Sequence, residues 1–105
     1  MRSISMIGAA LVAALGAVHA AGQGSDPNLG RSLAATCANC HGTNGVSQGG
    51  TASLAGMSRD AMIRTMQEFR SGTRPATVMH QLAKGYTDEQ IALIAGWFAT
   101  QKPPR

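Results

Sequence analysis

The only two cysteines of this 105-residue chain lie three positions apart, and a histidine directly follows the second one. They are Cys37, Cys40 and His41, in the stretch TCANCHG. Thiol and imidazole groups react covalently or bind metals, and here all of them are held at one point of the backbone. This stretch therefore constrains both the fold and the chemistry of the chain.

Four kinds of chemistry use two cysteines at this spacing. A redox-active dithiol requires an adjoining βαβ unit, which the sequence does not indicate. A disulfide over so short a loop would stabilise weakly, because it removes little entropy from the unfolded chain. Zinc requires a second Cys/His pair at finger or ribbon distance, and none follows. The fourth is covalent haem attachment, in which both thiols bind the vinyl groups of one porphyrin and the adjacent histidine binds the iron. The sequence thus predicts one haem c held by Cys37, Cys40 and His41.

The N-terminal segment predicts an exported protein. Arg2 precedes a short apolar run, and small residues surround a cleavage site after Ala20. We predict a signal peptide over 1–20 and a single domain over 21–105. The apolar run is too short and too weakly flanked for a convincing membrane span, so no integral membrane segment is expected after cleavage.

The composition predicts a thin core. The chain has one Trp, one Tyr and two Phe, and a domain this small often needs a cofactor to complete its interior. The net charge is +4, but the basic residues are scattered, which excludes a nucleic-acid interface. The five basic residues between Arg59 and Lys84 are either a docking face for an acidic partner or an ordinary solvated surface.

The capping signals and apolar periodicity predict an all-α fold without strands. Asn28 and Ser58 are expected to cap the first two helices, and Thr87 with Gln90 forms a capping box for the last one. A glycine-rich loop separates the first two helices. The predicted helices span 29–40, 58–70, 78–84 and 88–102. Their apolar stripes comprise Met62, Ile63, Met66 and Phe69 on the second helix, and Ile91, Ile94, Ala95 and Phe98, with Trp97 beside them, on the last.

Four stretches of the sequence resemble one family. They are CANCHGTNG at 37–45, SLAG at 53–56, EFRSGTRPATVM at 68–79 and AKGYTDEQIALIAGWFA at 83–99. The chain resembles a class I cytochrome c of the c4/c553 type. Within that type it is most similar to the haem-binding cytochrome subunit of flavocytochrome c sulfide dehydrogenase. The resemblance implies a small single-domain cytochrome c fold wrapped around one covalently attached haem.

The second axial ligand of the iron is expected among four methionines: Met57, Met62, Met66 and Met79. Met62 and Met66 lie on an apolar stripe and are expected to fill the core, and Met57 is expected to pack near the cofactor. The resemblance implies Met79, which lies after Pro75 and before the last helix, as the ligand methionine of the family does. Its neighbour His80 is the rival ligand, although we expect His80 to be an exposed polar residue.

The resemblance also suggests roles for residues around the haem. In the family a loop carbonyl after the attachment motif orients the ligand histidine, and the sequence leaves open which residue supplies it. Tyr86 is either near a haem propionate or simply half-buried, and Arg74 either pairs with a propionate or faces a partner. Gly30 and Trp97 are expected to meet where the first and last helices cross.

These features together predict periplasmic electron transfer by a protein that is not an enzyme by itself. The resemblance implies a redox partner, possibly a flavoprotein subunit that oxidises sulfide. One alternative is a free carrier between a membrane complex and a terminal oxidase. A ligand-binding or peroxidase-like haem protein is the alternative from a different class, and it requires an open sixth position on the iron.

Overall fold

The computed structural model describes residues 26–105, so the predicted signal peptide over 1–20 lies outside the described residues. This part of the chain is helical and contains no strand, which confirms the all-α prediction. The elements are helix α1 (Leu29–Ala34), a 3₁₀ turn (Ala35–Cys37), α2 (Ala38–His41), a second 3₁₀ turn (Thr43–Gly45), α3 (Arg59–Ser71), α4 (Met79–Ala83) and α5 (Asp88–Ala99).

The first predicted helix is one continuous helical region with a tightened turn in its middle. The backbone stays right-handed helical through both junctions, at Ala35 and Ala38. The expected side-chain cap from Asn28 was wrong, because Asn28 makes no capping hydrogen bond. Instead the Asp26 carboxylate accepts a hydrogen bond from the Asn28 backbone N–H at 2.8 Å. The chain therefore enters the helix through a local turn closed by Asp26.

The capping predictions for the two longest helices are confirmed. The Ser58 hydroxyl accepts a hydrogen bond from the Ala61 backbone N–H at 3.2 Å, and Gly72 ends α3 in the left-handed conformation. At the start of α5, Thr87 and Gln90 satisfy each other's backbone N–H groups in a capping box.

Helix α5 ends three residues earlier than predicted. The backbone N–H and the hydroxyl of Thr100 both donate to the carbonyl of Trp97, at 3.1 and 2.7 Å. These three-residue contacts tighten the last turn and compete with continuation of the α-helical ladder. The chain then leaves the helix towards Pro103.

The core is built from the predicted stripes and is small. The buried members are Ala34, Met62, Met66, Ala83, Ile91, Ile94, Ala95 and Phe98. Of these, only Phe98 and Ile91 are large side chains that are almost completely buried. Helix α5 packs against both α1 and α3, and α4 packs against α3. The thin core expected from the aromatic content is therefore present, with half-buried apolar side chains around it.

The crossing of α1 and α5 depends on a close approach at Gly30. A Cβ atom at Gly30 would lie 2.8 Å from the Leu93 carbonyl oxygen and 3.6 Å from the Trp97 Cβ. The Trp97 ring in turn packs edge-to-face on Phe98, with 5.0 Å between ring centroids. The expected meeting of Gly30 and Trp97 is confirmed.

This crossing predicts that Gly30→Ala destabilises the protein, whereas Gly96→Ala does not. The overlap at Gly30 costs about 1–3 kcal/mol, and better helix propensity recovers at most about 1 kcal/mol of that. At Gly96, a Cβ atom would meet only the Arg59 side chain, at 3.9 Å, so the propensity gain remains. Urea unfolding of the two holoproteins measures the difference. The prediction is wrong if Gly30→Ala is as stable as Gly96→Ala.

Candidate functional site

The Cys37–His41 segment places two thiols and one imidazole on a single helical region. Cys37 is the last residue of the first 3₁₀ turn, and Cys40 and His41 lie in α2. Positions three and four residues apart on a helix project from the same side, so the three side chains share one face. Neither cysteine is disulfide-bonded; Cys37 is half-buried and Cys40 is exposed. Both thiols are thus available for covalent attachment.

The environment of Cys37 argues against a redox-active dithiol. Burial raises the pKa of the Cys37 thiol, and a hydrogen bond with the Thr36 side chain lowers it by a smaller amount. A nucleophilic or redox-active cysteine instead needs a lowered pKa, because the thiolate is the reactive form. Cys37 is therefore better suited to structural attachment than to thiol–disulfide exchange.

His41 is oriented by the glycine-rich loop. Its Nδ1 lies 2.6 Å from the carbonyl oxygen of Ala52, eleven residues further along the chain. A carbonyl oxygen only accepts hydrogen bonds, so Nδ1 carries the proton and Nε2 keeps a free lone pair. Metal-bound histidines are typically held in this way through their second nitrogen. The structure thereby identifies Ala52 as the source of the loop carbonyl that the sequence left open.

The turn after His41 requires glycine. Gly42 adopts a left-handed φ of 84°, and a Cβ atom there would lie 1.9 Å from the carbonyl oxygen of Val46. No side chain fits in that space. Gly42 therefore allows the chain to reverse immediately after His41 and to pass back beside α2.

Backbone and side-chain hydrogen bonds close the loop that carries Ala52. The Gly45 carbonyl accepts from the backbone N–H groups of Leu54 and Ala55, at 2.7 and 3.1 Å. Closer to the loop tip, the Ser53 hydroxyl accepts from the Ser47 backbone N–H at 2.9 Å. These bonds hold the three residues that follow Ala52 and so restrict where its carbonyl can lie next to His41.

The four methionines separate into two groups by burial. Met62 and Met66 are 4% and 8% exposed and belong to the core, as their position on the apolar stripe predicted. Met57 and Met79 are half-buried and pack at the edge of the core. Met79 is the first residue of α4. Its role as an iron ligand stays a prediction.

The expectation that His80 is an exposed polar residue was wrong. His80 is half-buried, and its Nδ1 is buried without a hydrogen-bond partner among the described residues. The cause is the packing of α4 on α3: Ala83, on the same face of α4 three residues later, is completely buried. The packing of His80 does not decide between Met79 and His80 as the second axial ligand, so Met79 stays the prediction.

Tyr86 and Arg74 both have partners within the chain. The Tyr86 hydroxyl lies 2.7 Å from the hydroxyl of Thr36. Tyr86 is half-buried, which was one of its two expected environments. Arg74 pairs with the Glu68 carboxylate at 2.7 Å, and its guanidinium lies 5.8 Å from the centre of the Phe69 ring. Sequence reasoning missed the role of Thr36, because nothing local to that residue indicates a partner fifty positions away.

The residues present fit a covalently held haem. Two free thiols and an imidazole with an available Nε2 share one face, and Cys37 packs against the same core as half-buried apolar side chains, among them Leu54, Ile63 and Met79. Over residues 26–105 no three His, Cys, Asp or Glu side chains cluster closely enough to hold a metal ion by themselves. Every helix in the same part of the chain is too short or too polar to cross a lipid bilayer.

Comparison with known proteins gives the family. The cytochrome c family model matches residues 27–102. The cytochrome subunit of sulfide dehydrogenase from Chlorobaculum tepidum is 44% identical over 66% of this chain and 63% of its own length. A cytochrome c4 from Pseudomonas aeruginosa is 35% identical, over 83% of this chain and 42% of that protein. The thiosulfate dehydrogenase electron acceptor of Stutzerimonas stutzeri is 31% identical, over 91% and 46%.

The matched region spans less than two thirds of the length of each of these three relatives. The family match nevertheless covers most of the chain and includes the whole attachment motif. This confirms the resemblance to class I cytochromes c of the c4/c553 type. The chain belongs to the cytochrome c family and binds one covalently attached haem c.

Proposed function

We propose that this chain is a periplasmic electron-transfer protein that exchanges single electrons with protein partners and catalyses no reaction alone. The observation that carries the proposal is the orientation of His41. Its Nδ1–H is held by the Ala52 carbonyl, which leaves Nε2 free beside two free thiols. A fixed, neutral imidazole of this kind is what a stable proximal iron ligand requires.

Each site residue has a distinct part in this function. Cys37 and Cys40 would hold the haem through thioether bonds, and His41 and Met79 would be the axial ligands of its iron. When bound, the haem supplies one-electron exchange between the ferric and ferrous states. A methionine sulfur in the sixth position raises the reduction potential and excludes small molecules from the iron. Together these residues support electron transfer rather than ligand binding.

Export to the periplasm is part of the proposal. It is supported by the signal-peptide pattern over 1–20, with cleavage after Ala20. The region matched by the cytochrome c family, 27–102, lies within the remaining 21–105. We therefore propose that 21–105 is the mature cytochrome domain.

We propose a sulfide-oxidising flavoprotein as the electron donor. The supporting observation is the similarity to the cytochrome subunit of sulfide dehydrogenase, at 44% identity. The second candidate is a free carrier, which the similarity to a cytochrome c4 and to a thiosulfate dehydrogenase electron acceptor favours. In the free-carrier case the protein binds several partners weakly, and a donor other than a sulfide-oxidising flavoprotein reduces it.

The basic residues offer a smaller docking face than the sequence suggested. Arg70 pairs with Asp88, and Arg74 pairs with Glu68, so these two charges are partly neutralised within the chain. Arg59 is exposed and lies 3.8 Å from the Asp60 carboxylate, and Arg64 and Lys84 are exposed. Charged groups of this kind mainly speed the encounter with a partner of opposite charge.

Absorption spectra of two variants test the axial ligand. We expect the ferric wild type to show the weak long-wavelength band of a sulfur–iron bond. Met79→Ala loses that band, and its ferrous form binds carbon monoxide, because the sixth position is then open. His80→Ala is the matched control and keeps the band. If wild type lacks the band and binds carbon monoxide readily, the electron-transfer proposal fails and the ligand-binding or peroxidase-like function replaces it. If wild type lacks the band but binds no carbon monoxide, Met79 is not the ligand, and carbon monoxide binding by His80→Ala identifies His80 in its place.

A reduction assay tests the partner. The ferric holoprotein is mixed with sulfide alone, with sulfide and a sulfide-oxidising flavoprotein, and with thiosulfate and a thiosulfate dehydrogenase. Reduction is followed in the visible haem bands. We expect fast reduction only in the mixture of sulfide and flavoprotein. Equal reduction by both enzymes contradicts a dedicated sulfide-oxidising partner and supports the free carrier.

A further inference from the structure

One hydrogen bond joins the haem-attachment segment to the segment that carries Met79. The Tyr86 hydroxyl lies 2.7 Å from the Thr36 hydroxyl, which itself donates to the Leu33 carbonyl at 2.9 Å. A threonine hydroxyl has one proton. Because Thr36 donates that proton to Leu33, Tyr86 must be the donor in the bond to Thr36.

Tyr86 is also held through its backbone. Its carbonyl oxygen accepts a hydrogen bond from Arg70 Nη1 at 3.2 Å, and Arg70 Nη2 forms an ion pair with Asp88. Arg70 lies in α3, and Asp88 is the first residue of α5. Tyr86 is thus fixed to α3 by its carbonyl and to the attachment segment by its phenol.

The two ends of the Tyr86–Thr36 bond belong to the two segments that carry the predicted iron ligands. Thr36 directly precedes Cys37. Tyr86 follows α4, whose first residue is Met79, through a turn in which the Tyr86 N–H donates to the Ala83 carbonyl at 3.4 Å. Among the described residues no other side-chain hydrogen bond connects the segment 29–41 to the segment 79–86.

Helix α4 needs such an anchor. It has five residues, and a helix of that length is not stable without tertiary contacts. Its apolar contact with the core includes the completely buried Ala83, whereas Val78 and Leu82 beside it are about half exposed, at 53% and 51%. Helix α4 is held by its packing on α3 and by Met79 and Ala83 at the core, and the hydrogen bond of Tyr86 ties its C-terminal end to the segment 29–41.

We propose that Tyr86 is a positioning residue whose hydrogen bond to Thr36 keeps the Met79-bearing segment closed over the haem-attachment segment. This inference rests on the proposed function, in which Met79 is an iron ligand. When the bond is lost, α4 opens more often and the sulfur leaves the iron more often. Tyr86 thereby sets the fraction of protein in which the sixth position is open.

An added ligand measures that fraction. Imidazole binds the ferric iron only when Met79 has left, so its apparent affinity is the intrinsic affinity multiplied by the open fraction. A hydrogen bond of ordinary strength corresponds to an increase in the open fraction of about two- to tenfold on its removal. The apparent affinity for imidazole should rise by the same factor.

The experiment compares three variants of the full-chain holoprotein by imidazole titration. Tyr86→Phe and Thr36→Val each remove one partner of the bond, and Thr36→Ser keeps the hydroxyl. We expect the first two to raise the apparent imidazole affinity about two- to tenfold and Thr36→Ser to behave like wild type. The double variant Tyr86→Phe/Thr36→Val should show no further rise, because both changes remove the same interaction.

The variant Gly30→Ala is the control that distinguishes a general loss of stability from opening at Met79. This variant weakens the crossing of α1 and α5 without touching Tyr86 or Thr36. Its imidazole affinity should equal that of wild type. The proposal is overturned if Gly30→Ala raises the affinity as much as Tyr86→Phe does, or if Tyr86→Phe and Thr36→Val leave it unchanged.

The wild-type spectrum distinguishes failure of this inference from failure of the proposed function. If wild type shows the sulfur–iron band and imidazole removes it, Met79 is a ligand, and unchanged affinities in the variants overturn only the role of Tyr86. If wild type lacks the band, Met79 is not a ligand and this inference falls; the proposed function falls with it only if wild type also binds carbon monoxide readily. Should Tyr86→Phe not assemble with haem, the Thr36→Val and Thr36→Ser pair makes the same comparison from the other partner.

Discussion

The hydrogen bond from His41 to the Ala52 carbonyl is the interaction on which the site depends. It joins the attachment helix to the glycine-rich loop and fixes which nitrogen of His41 is available for a metal. The rest of the loop supports this contact. Gly42 permits the chain to reverse immediately after His41, and the hydrogen bonds of Gly45 and Ser53 hold the returning part of the loop in place. A loop rich in glycine is flexible by composition, and its internal hydrogen bonds are what make it a fixed support.

A second constraint is the size of the core. With Phe98 and Ile91 as the only large side chains that are almost fully buried, the described domain holds its helices together with little apolar area. A chain of this length commonly needs a cofactor for the remainder of its stability. The many apolar residues that are only half-buried at the edge of the core are consistent with that need. The covalent haem of the family is thus both the functional group and a structural component.

Polar contacts compensate for the limited apolar packing between the short segments. Arg70 connects α3 to the start of α5 through Asp88 and to the end of the α4 turn through the Tyr86 carbonyl. Tyr86 then continues the connection to Thr36. Because hydrogen bonds are directional, this network specifies the relative positions of four segments more narrowly than small apolar contacts do.

The sequence by itself determined the features that are formed by residues close together in the chain. The attachment motif, the Ser58 cap, the capping box at Thr87 and the buried stripe of α5 are all readable because their partners lie within about one helical turn of each other. Together with the family resemblance, these features were sufficient for the all-α fold and the covalent haem.

Only the tertiary structure decided the contacts between distant residues. The Ala52 carbonyl lies eleven residues from His41, and Thr36 lies fifty residues from Tyr86. His80 is half-buried because α4 packs on α3, and the charge of Arg74 is partly neutralised by Glu68. No local pattern encodes such pairs, because each depends on where the folded backbone brings two segments together.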